Sequence, residues 1–187
     1  MAYQFKVSLQ DIEPIIWRRF LIPKTATLAD FTFAIEDCMQ WSGTRLHRFI
    51  IEKSIPLPDY DNGEWYDMLT EMSLESILKY EIEYEYNIKD ELGEGWMHTI
   101  EFEGEVDQNI IHPLCIDGSR ACPIEDIDDY PMGYYDFLKT MSDISDPYRE
   151  RLCYVYDIDG FDPEKFDVSS IRYRKYVPSG AKRLYWN

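Results

Sequence analysis

Apolar and polar residues alternate from the start of the chain. Tyr3, Phe5, Val7 and Leu9 interleave with Gln4, Lys6, Ser8 and Gln10, which predicts a strand with one buried face. After a turn at Asp11–Pro14 the alternation resumes over Ile15–Ile22, with Ile16, Arg18, Phe20 and Ile22 on one side and Ile15, Trp17, Arg19 and Leu21 on the other. This second run suits a hairpin partner for the first. The period then lengthens. Leu28, Phe31, Ile35, Cys38 and Met39 recur at three- and four-residue spacing, so a helix is expected, capped by Thr27 with Asp30 in its first turn and closed by Gly43. That stripe puts Cys38 in the core. His47–Ile51 reads as a short strand, and residues 53–66, with two prolines and Asn62-Gly63, as a long loop.

Ser73 is placed to cap a short helix carrying Leu74, Ile77 and Leu78. In Glu81–Ile88 one face holds Ile82, Tyr84, Tyr86 and Ile88, and the other holds Glu81, Glu83 and Glu85, which are expected to be solvated. A turn at Gly93-Glu94-Gly95 leads into Trp96–Gly104, the other arm of a second hairpin. Pro113–Gly133 is irregular. Helices are expected around Tyr134–Met141, from Pro147 to Tyr156, and from Asp162-Pro163 onward. No repeat or break in composition separates two cores. The expectation is therefore a single α+β domain over residues 1–187, with a mainly antiparallel sheet of two hairpins packed against several helices.

Charge refines this picture. The 187 residues carry a net charge of −17, yet 45% are apolar and 16% aromatic, a composition that supports a folded core. The acid is concentrated in residues 51–170, at about −23, while residues 171–187 form a basic tail with Arg172, Arg174, Lys175, Lys182 and Arg183 and no acids. Such a midsection repels phosphate backbones, which makes nucleic acid an unfavoured partner except at the chain ends. No run of apolar residues has the length of a membrane span, and no basic start is followed by an apolar block. A cytoplasmic protein with its four cysteines reduced is expected.

Four blocks then carry a resemblance: Tyr3–Phe20 (YQFKVSLQDIEPIIWRRF), Thr27–Phe49 with Trp41 and His47, Tyr84–Glu101 around Gly93, Trp96 and His98, and Pro113–Leu138. Together they resemble the plasmid pRiA open-reading-frame-three-like family over nearly the whole chain. The resemblance implies a compact, roll-like α+β fold. It brings no established activity, although labels such as transposon resolvase within the family imply a mobile-element nucleic-acid module as one reading. The chain departs from the family pattern twice. The usual glycine-aspartate pair before the Trp96 position is Glu94-Gly95 here, and the usual Cys-Pro-Pro-Glu-Asp-Cys run is Cys122-Pro123-Ile124-Glu125-Asp126-Ile127.

Candidate chemistry centres on that last block. Cys115 and Cys122, with His47 and His98 from the matching blocks, are the residue types that bind zinc, although their spacing is not that of a zinc ribbon. The bland alternative makes the two cysteines a structural pair of thiols or a loop staple. Cys122, His98 and Glu125 have the types of a nucleophile, base and orienting acid. The acidic run Glu125–Asp129 reads as a solvated loop. Arg18 and Arg48, if on neighbouring strands, would neutralise part of the Glu81–Glu85 face or bind an anion. Nucleotide-binding, nucleophile-elbow and zinc-protease motifs are absent. The leading expectation is a non-enzymatic binding module for a protein partner with a basic surface, and the alternative is a metal-assisted or thiol-dependent enzyme using Cys115–Asp129.

Overall fold

The computed structural model describes residues 1–51, 72–88, 95–175 and 184–185. The loop read at residues 53–66, the Gly93-Glu94 part of the second turn, and the tail bases Lys182 and Arg183 lie outside them.

Strands β1 (Ala2–Leu9) and β2 (Trp17–Pro23) form the first hairpin, with Phe5 opposite Phe20. Strands β3 (His47–Ile51), β4 (Ile82–Tyr86), β5 (Trp96–Val106) and β6 (Leu114–Ser119) complete a six-stranded antiparallel sheet in the order β3-β4-β5-β1-β2-β6. The second hairpin is β4 with β5, where Tyr84 faces His98. β1 joins the two hairpins by pairing with β5, Val7 opposite Ile100. The class is α+β, as the alternation predicts.

Helix α1 (Leu28–Cys38) begins at a capping box: Thr27 Oγ1 accepts from the Asp30 N–H at 3.2 Å, and Asp30 Oδ2 accepts from the Thr27 N–H at 2.9 Å. It ends at Cys38, so Gly43 is not its terminator. Gly43 sits at φ +65° beyond the helix, where a Cβ would lie 1.9 Å from Arg174 Nη1. The glycine makes room for a guanidinium.

The sheet curls over α1. The Phe31 ring lies 4.6 Å from Phe5, 5.9 Å from Phe20 and 5.9 Å from Phe49. Phe20 is on β2 and Phe49 on β3, which would be about 19 Å apart in a flat sheet at roughly 4.8 Å per strand. One ring can touch both only if the sheet folds round it, and this closure is the roll. A bulge on β6 sets what faces inward. Arg19 pairs with Asp117 but Phe20 with Cys115, leaving Ile116 as the extra residue, so Cys115 points into the core while Asp117 turns out to Arg19 at 3.3 Å.

The outer face carries a ladder of ion pairs, Lys6–Glu101 at 3.2 Å, Arg19–Glu103 at 2.7 Å and Lys24–Glu105 at 2.8 Å. Solvent-screened pairs of this kind contribute little to stability. Their combined effect is to neutralise the acids of β5. The β4 acids depart from the solvated face expected of them. Glu81 is exposed, but Glu85 is fully buried, because Arg48 sits across the register on β3 with Nη2 2.6 Å from Glu85 Oε2, and the Gly95 N–H donates to Glu85 Oε1 at 3.2 Å. Arg48 thus does what was asked of it; Arg18, on β2, does not reach this face.

Helix α2 (Met132–Ser142) buries Tyr134, Phe137 and Met141, whereas helix α3 (Arg149–Tyr156) buries none of its residues. No helix starts at Asp162-Pro163. The Asp162 carboxylate instead accepts from the Glu164 N–H at 3.0 Å, a local turn that competes with helix, and only a 3-10 turn at Val168–Ser170 follows. β7 (Arg174–Lys175) and β8 (Leu184–Tyr185) pair as a short ribbon.

Replacing Thr27 by Ala removes the side-chain acceptor of the Asp30 N–H, one half of the capping box, and should lower stability by about 1 kcal/mol. Urea unfolding measures it; an unchanged midpoint would mean that the box is dispensable.

Candidate functional site

The four proposed zinc ligands fall into two neighbourhoods. Cys115, on β6, lies beside Cys38 of α1, and Cys122, just after β6, lies against Arg18 and Met39. The thiol pair in the interior is therefore Cys38 with Cys115, and Cys115 is not stapled to Cys122. All four cysteines are free thiols. The histidines lie round Tyr84, His47 at 5.7 Å and His98 at 5.6 Å between ring centres. Among the described residues no three His, Cys, Asp or Glu side chains are grouped to hold a metal ion.

His98 belongs to the aromatic core. Its Nδ1 lies 2.9 Å from the Tyr84 carbonyl oxygen, which makes Nδ1 the protonated nitrogen, and Trp41 packs edge-on at 5.3 Å. Burial depresses its pKa to about 4. It bonds neither Cys122 nor Glu125. The Glu125 carboxylate is taken up by the Tyr86 hydroxyl at 2.8 Å and the Ser42 N–H at 2.9 Å, so the three residues do not form a relay.

Glu125 anchors a strap. Its carbonyl accepts from Asn87 Nδ2 at 2.7 Å and Trp96 Nε1 at 3.3 Å, and the Pro123 carbonyl accepts from Trp41 Nε1 at 2.9 Å. Asp126 pairs with Arg45. The segment that reads as a solvated acidic loop is thus bound along its first half to the stacked Trp41 and Tyr86 rings, 4.7 Å apart. Sequence spacing carried no signal for this, because the partners come from the connection between α1 and β3, the end of β4 and the start of β5.

A second buried polar group lies beneath Tyr84. Glu36 of α1 accepts from the Tyr84 hydroxyl at 3.1 Å and from Arg174 Nη2 at 2.9 Å, with His47 Nδ1 3.6 Å away. Asp37 pairs with Arg174 Nε and accepts from the Arg174 N–H at 2.6 Å. Burial lifts Glu36 to a pKa of about 7, against the pull of Arg174. One of the five tail bases is therefore consumed inside the protein. The outer side of Arg174 lines an open cleft of about 220 Å³ with Trp41, Gln40 and Arg172.

The third neighbourhood is Arg18. Ile16, just before β2, and Phe20 and Ile22 on it are buried with Arg18, which is 0% exposed. Nε donates to the Cys38 carbonyl at 3.0 Å, Nη1 to the Trp17 and Ser119 carbonyls at 2.7 and 2.9 Å, and Nη2 to the Arg120 carbonyl at 2.8 Å and Cys122 Sγ at 2.9 Å. Phe166 covers the guanidinium at 4.1 Å. Gly118 allows this, since a Cβ there would meet the Phe166 ring at 2.7 Å. The sequence did hold a signal: an arginine in phase with three buried apolar residues.

At the surface, Ile144, Tyr148, Tyr154 and Val155 are 87%, 64%, 88% and 59% exposed. They gather on α3 and the turn before it. Asp143, Glu150 and Asp157 are exposed beside them, and so is Arg151.

A curled antiparallel sheet closed round one helix and strapped by the segment after β6 defines a roll-like α+β protein. Residues 1–170 match the family described as plasmid pRiA4b ORF-3-like protein, and the chain belongs to that family. It is 27% identical over 150 residues to the uncharacterised protein y4hQ of Sinorhizobium fredii (strain NBRC 101917 / NGR234), covering 79% of this chain and 75% of that one. The crystal structure of MM3350, a protein of unknown function from Methanosarcina mazei Go1, superposes with a TM-score of 0.73 at 26% identity, over 91% of this chain and 97% of that one. Among the described residues no helix is long and apolar enough to cross a membrane.

Glu36 and His98 titrate in opposite senses. The folded pKa of Glu36, about 7, lies above its ordinary 4.5, so its contribution to stability falls as pH rises through that interval. His98, about 4 when folded against 6.5, contributes stability above pH 6.5 that is lost as pH falls toward 4. Each effect amounts to about 3 kcal/mol, and across the shared window they offset one another. The Glu36→Gln protein should therefore gain up to about 3 kcal/mol between pH 4.5 and 7 while the native protein changes little from this pair. Urea unfolding at both ends of the window tests this; parallel curves for the two proteins would refute it.

Proposed function

We propose that this is a non-enzymatic interaction module that docks a protein partner through α3 and the turn before it. The observation that carries the reading is α3 itself, a helix with no buried residue that presents Ile144, Tyr148, Tyr154 and Val155 to solvent. Exposed aromatic and aliphatic side chains gathered on one element, rimmed by charge, are the usual composition of an interface centre. The rim is acidic only on balance, Asp143, Glu150 and Asp157 against the exposed Arg151, and the β5 acids are already neutralised by Lys6, Arg19 and Lys24. What remains of the acidic field favours a partner with basic residues round an apolar patch. Burial of Arg174 against Glu36 and Asp37 removes one base from the tail and weakens the nucleic-acid reading. A cytoplasmic setting, where four thiols stay reduced, completes the proposal.

A photo-cross-linking residue at Tyr154, compared in cells with one at Glu101 on the outer sheet face, tests the surface. A discrete protein adduct from position 154 alone is expected, competed by untagged native protein but not by a Tyr154→Ser, Val155→Ser protein. Both changes are at exposed positions and should shift stability by no more than about 0.5 kcal/mol each. Equal adducts from both positions, or none from position 154, would end the proposal.

A further inference from the structure

Two of the four thiols meet in the interior. Cys38 is the last residue of α1 and Cys115 lies on β6; they are 0% and 1% exposed and lie side by side where the sheet closes over the helix. Three contacts hold them in place. The β6 bulge turns Cys115 inward opposite Phe20. Arg18 Nε donates to the Cys38 carbonyl at 3.0 Å, which fixes the end of α1 against β2, and the Cys115 N–H donates to the Tyr173 hydroxyl, which also reaches Cys38.

The two thiols are not equivalent. Cys115 Sγ donates to the Asp117 carbonyl at 3.4 Å, and the neighbouring Cys38 holds the Cys115 thiol below its ordinary pKa, whereas burial pushes Cys38 well above. One member of the pair is thereby the better nucleophile and the other keeps its proton, the division of roles by which a dithiol oxidises in two steps. Cys122 lacks such a partner, since its Sγ meets Met39 Sδ at 3.2 Å and Arg18 Nη2. Burial does not seal the pair permanently. β6 ends the sheet order, so the opening of one edge strand brings Cys115 to solvent.

We propose that Cys38 and Cys115 are a reversible redox switch, a dithiol that peroxide closes to a disulfide tying the end of α1 to the sheet edge. The Cys115 thiol releases its proton, and the thiolate attacks one oxygen of hydrogen peroxide. An S–O bond forms as the O–O bond breaks, and the departing hydroxide takes up the released proton to become water. Cys38 then gives up its own proton and attacks the Cys115 sulfur; the S–S bond forms as the S–O bond breaks, and the second hydroxide leaves as water. Two thiols and one peroxide become one disulfide and two waters, with two electrons passing from sulfur to oxygen. The new bond closes a long stretch of chain into a loop and pins the strand whose opening admitted the oxidant, so the oxidised fold resists unfolding more than the reduced one. None of this rests on the docking surface.

The test uses the full, reduced chain treated with dilute hydrogen peroxide, alkylated at intervals, digested without reduction and read by peptide mass spectrometry. A Cys38–Cys115 linked peptide should be the first disulfide and should vanish with dithiothreitol, while Cys122 and Cys153 still take up the alkylating label. The oxidised chain should unfold at a higher urea concentration, and dithiothreitol should restore the lower midpoint. Cys122→Ser should give the same link at the same rate. A first disulfide that includes Cys122 or Cys153, persistence of Cys38 and Cys115 as thiols after the other two have oxidised, or a linked protein with an unchanged urea midpoint would each overturn the proposal. The mapping is done on the native chain, so its outcome does not depend on a variant that folds.

Discussion

The whole architecture depends on one aromatic ring. Phe31 projects from α1 into a space bounded by Phe5 of β1, Phe20 of β2 and Phe49 of β3. Strands far apart in the sheet order meet on it, so the burial of this ring and the curvature of the sheet are one event. Curvature in turn decides which polar groups lose contact with water. β6 is brought over the end of α1, which places Cys115 beside Cys38, and β3 and β4 are brought over its flank, which places Tyr84 on Glu36.

The interior produced this way is unusually polar in a specific manner. Glu36, Asp37, Glu85, His98, Arg18 and Arg174 are all buried. Four of the six are answered by opposite charge, Arg174 between Glu36 and Asp37 and Arg48 on Glu85, while His98 and Arg18 are answered by carbonyl oxygens. Buried charges are poor sources of stability but strong constraints on arrangement, because each misplacement leaves a charge uncompensated. They fix how the segment after β6 and the end of the chain lie on the sheet, and leave α3 as the element least committed to the core.

Much of this was legible in the sequence, and the limit has a physical cause. Period-two alternation placed both hairpins, and the Thr27–Asp30 pair placed the start of α1, because those signals depend on residues close in the chain. Cys38 fell in the core on helical spacing alone. Alternation says which face a residue takes, but not how deeply that face is covered, so Glu85 looked solvated until Arg48 and Gly95 were seen to close over it. Gly43 looked like a helix end because its real neighbour, Arg174, is far along the chain. The four ligand candidates shared residue type and family blocks, yet the sheet order sets Cys115 and the two histidines on strands that are not neighbours. The helix expected at Asp162 lost to a side-chain turn only two residues wide.

The link between α1 and Arg174 spans more than a hundred residues, and its bonds have sequence separations of 137 and 138. During translation, α1 and the first hairpin leave the ribosome long before the base that completes them. Until then Asp37 has no guanidinium to meet and Glu36 is easily kept neutral by a proton, so a nascent chain can collapse round Phe31 but cannot finish its charge pairing. A chain cut short before residue 174 would be held at that same stage. The pairing of α1 with Arg174 is therefore among the last contacts that synthesis allows this interior to form.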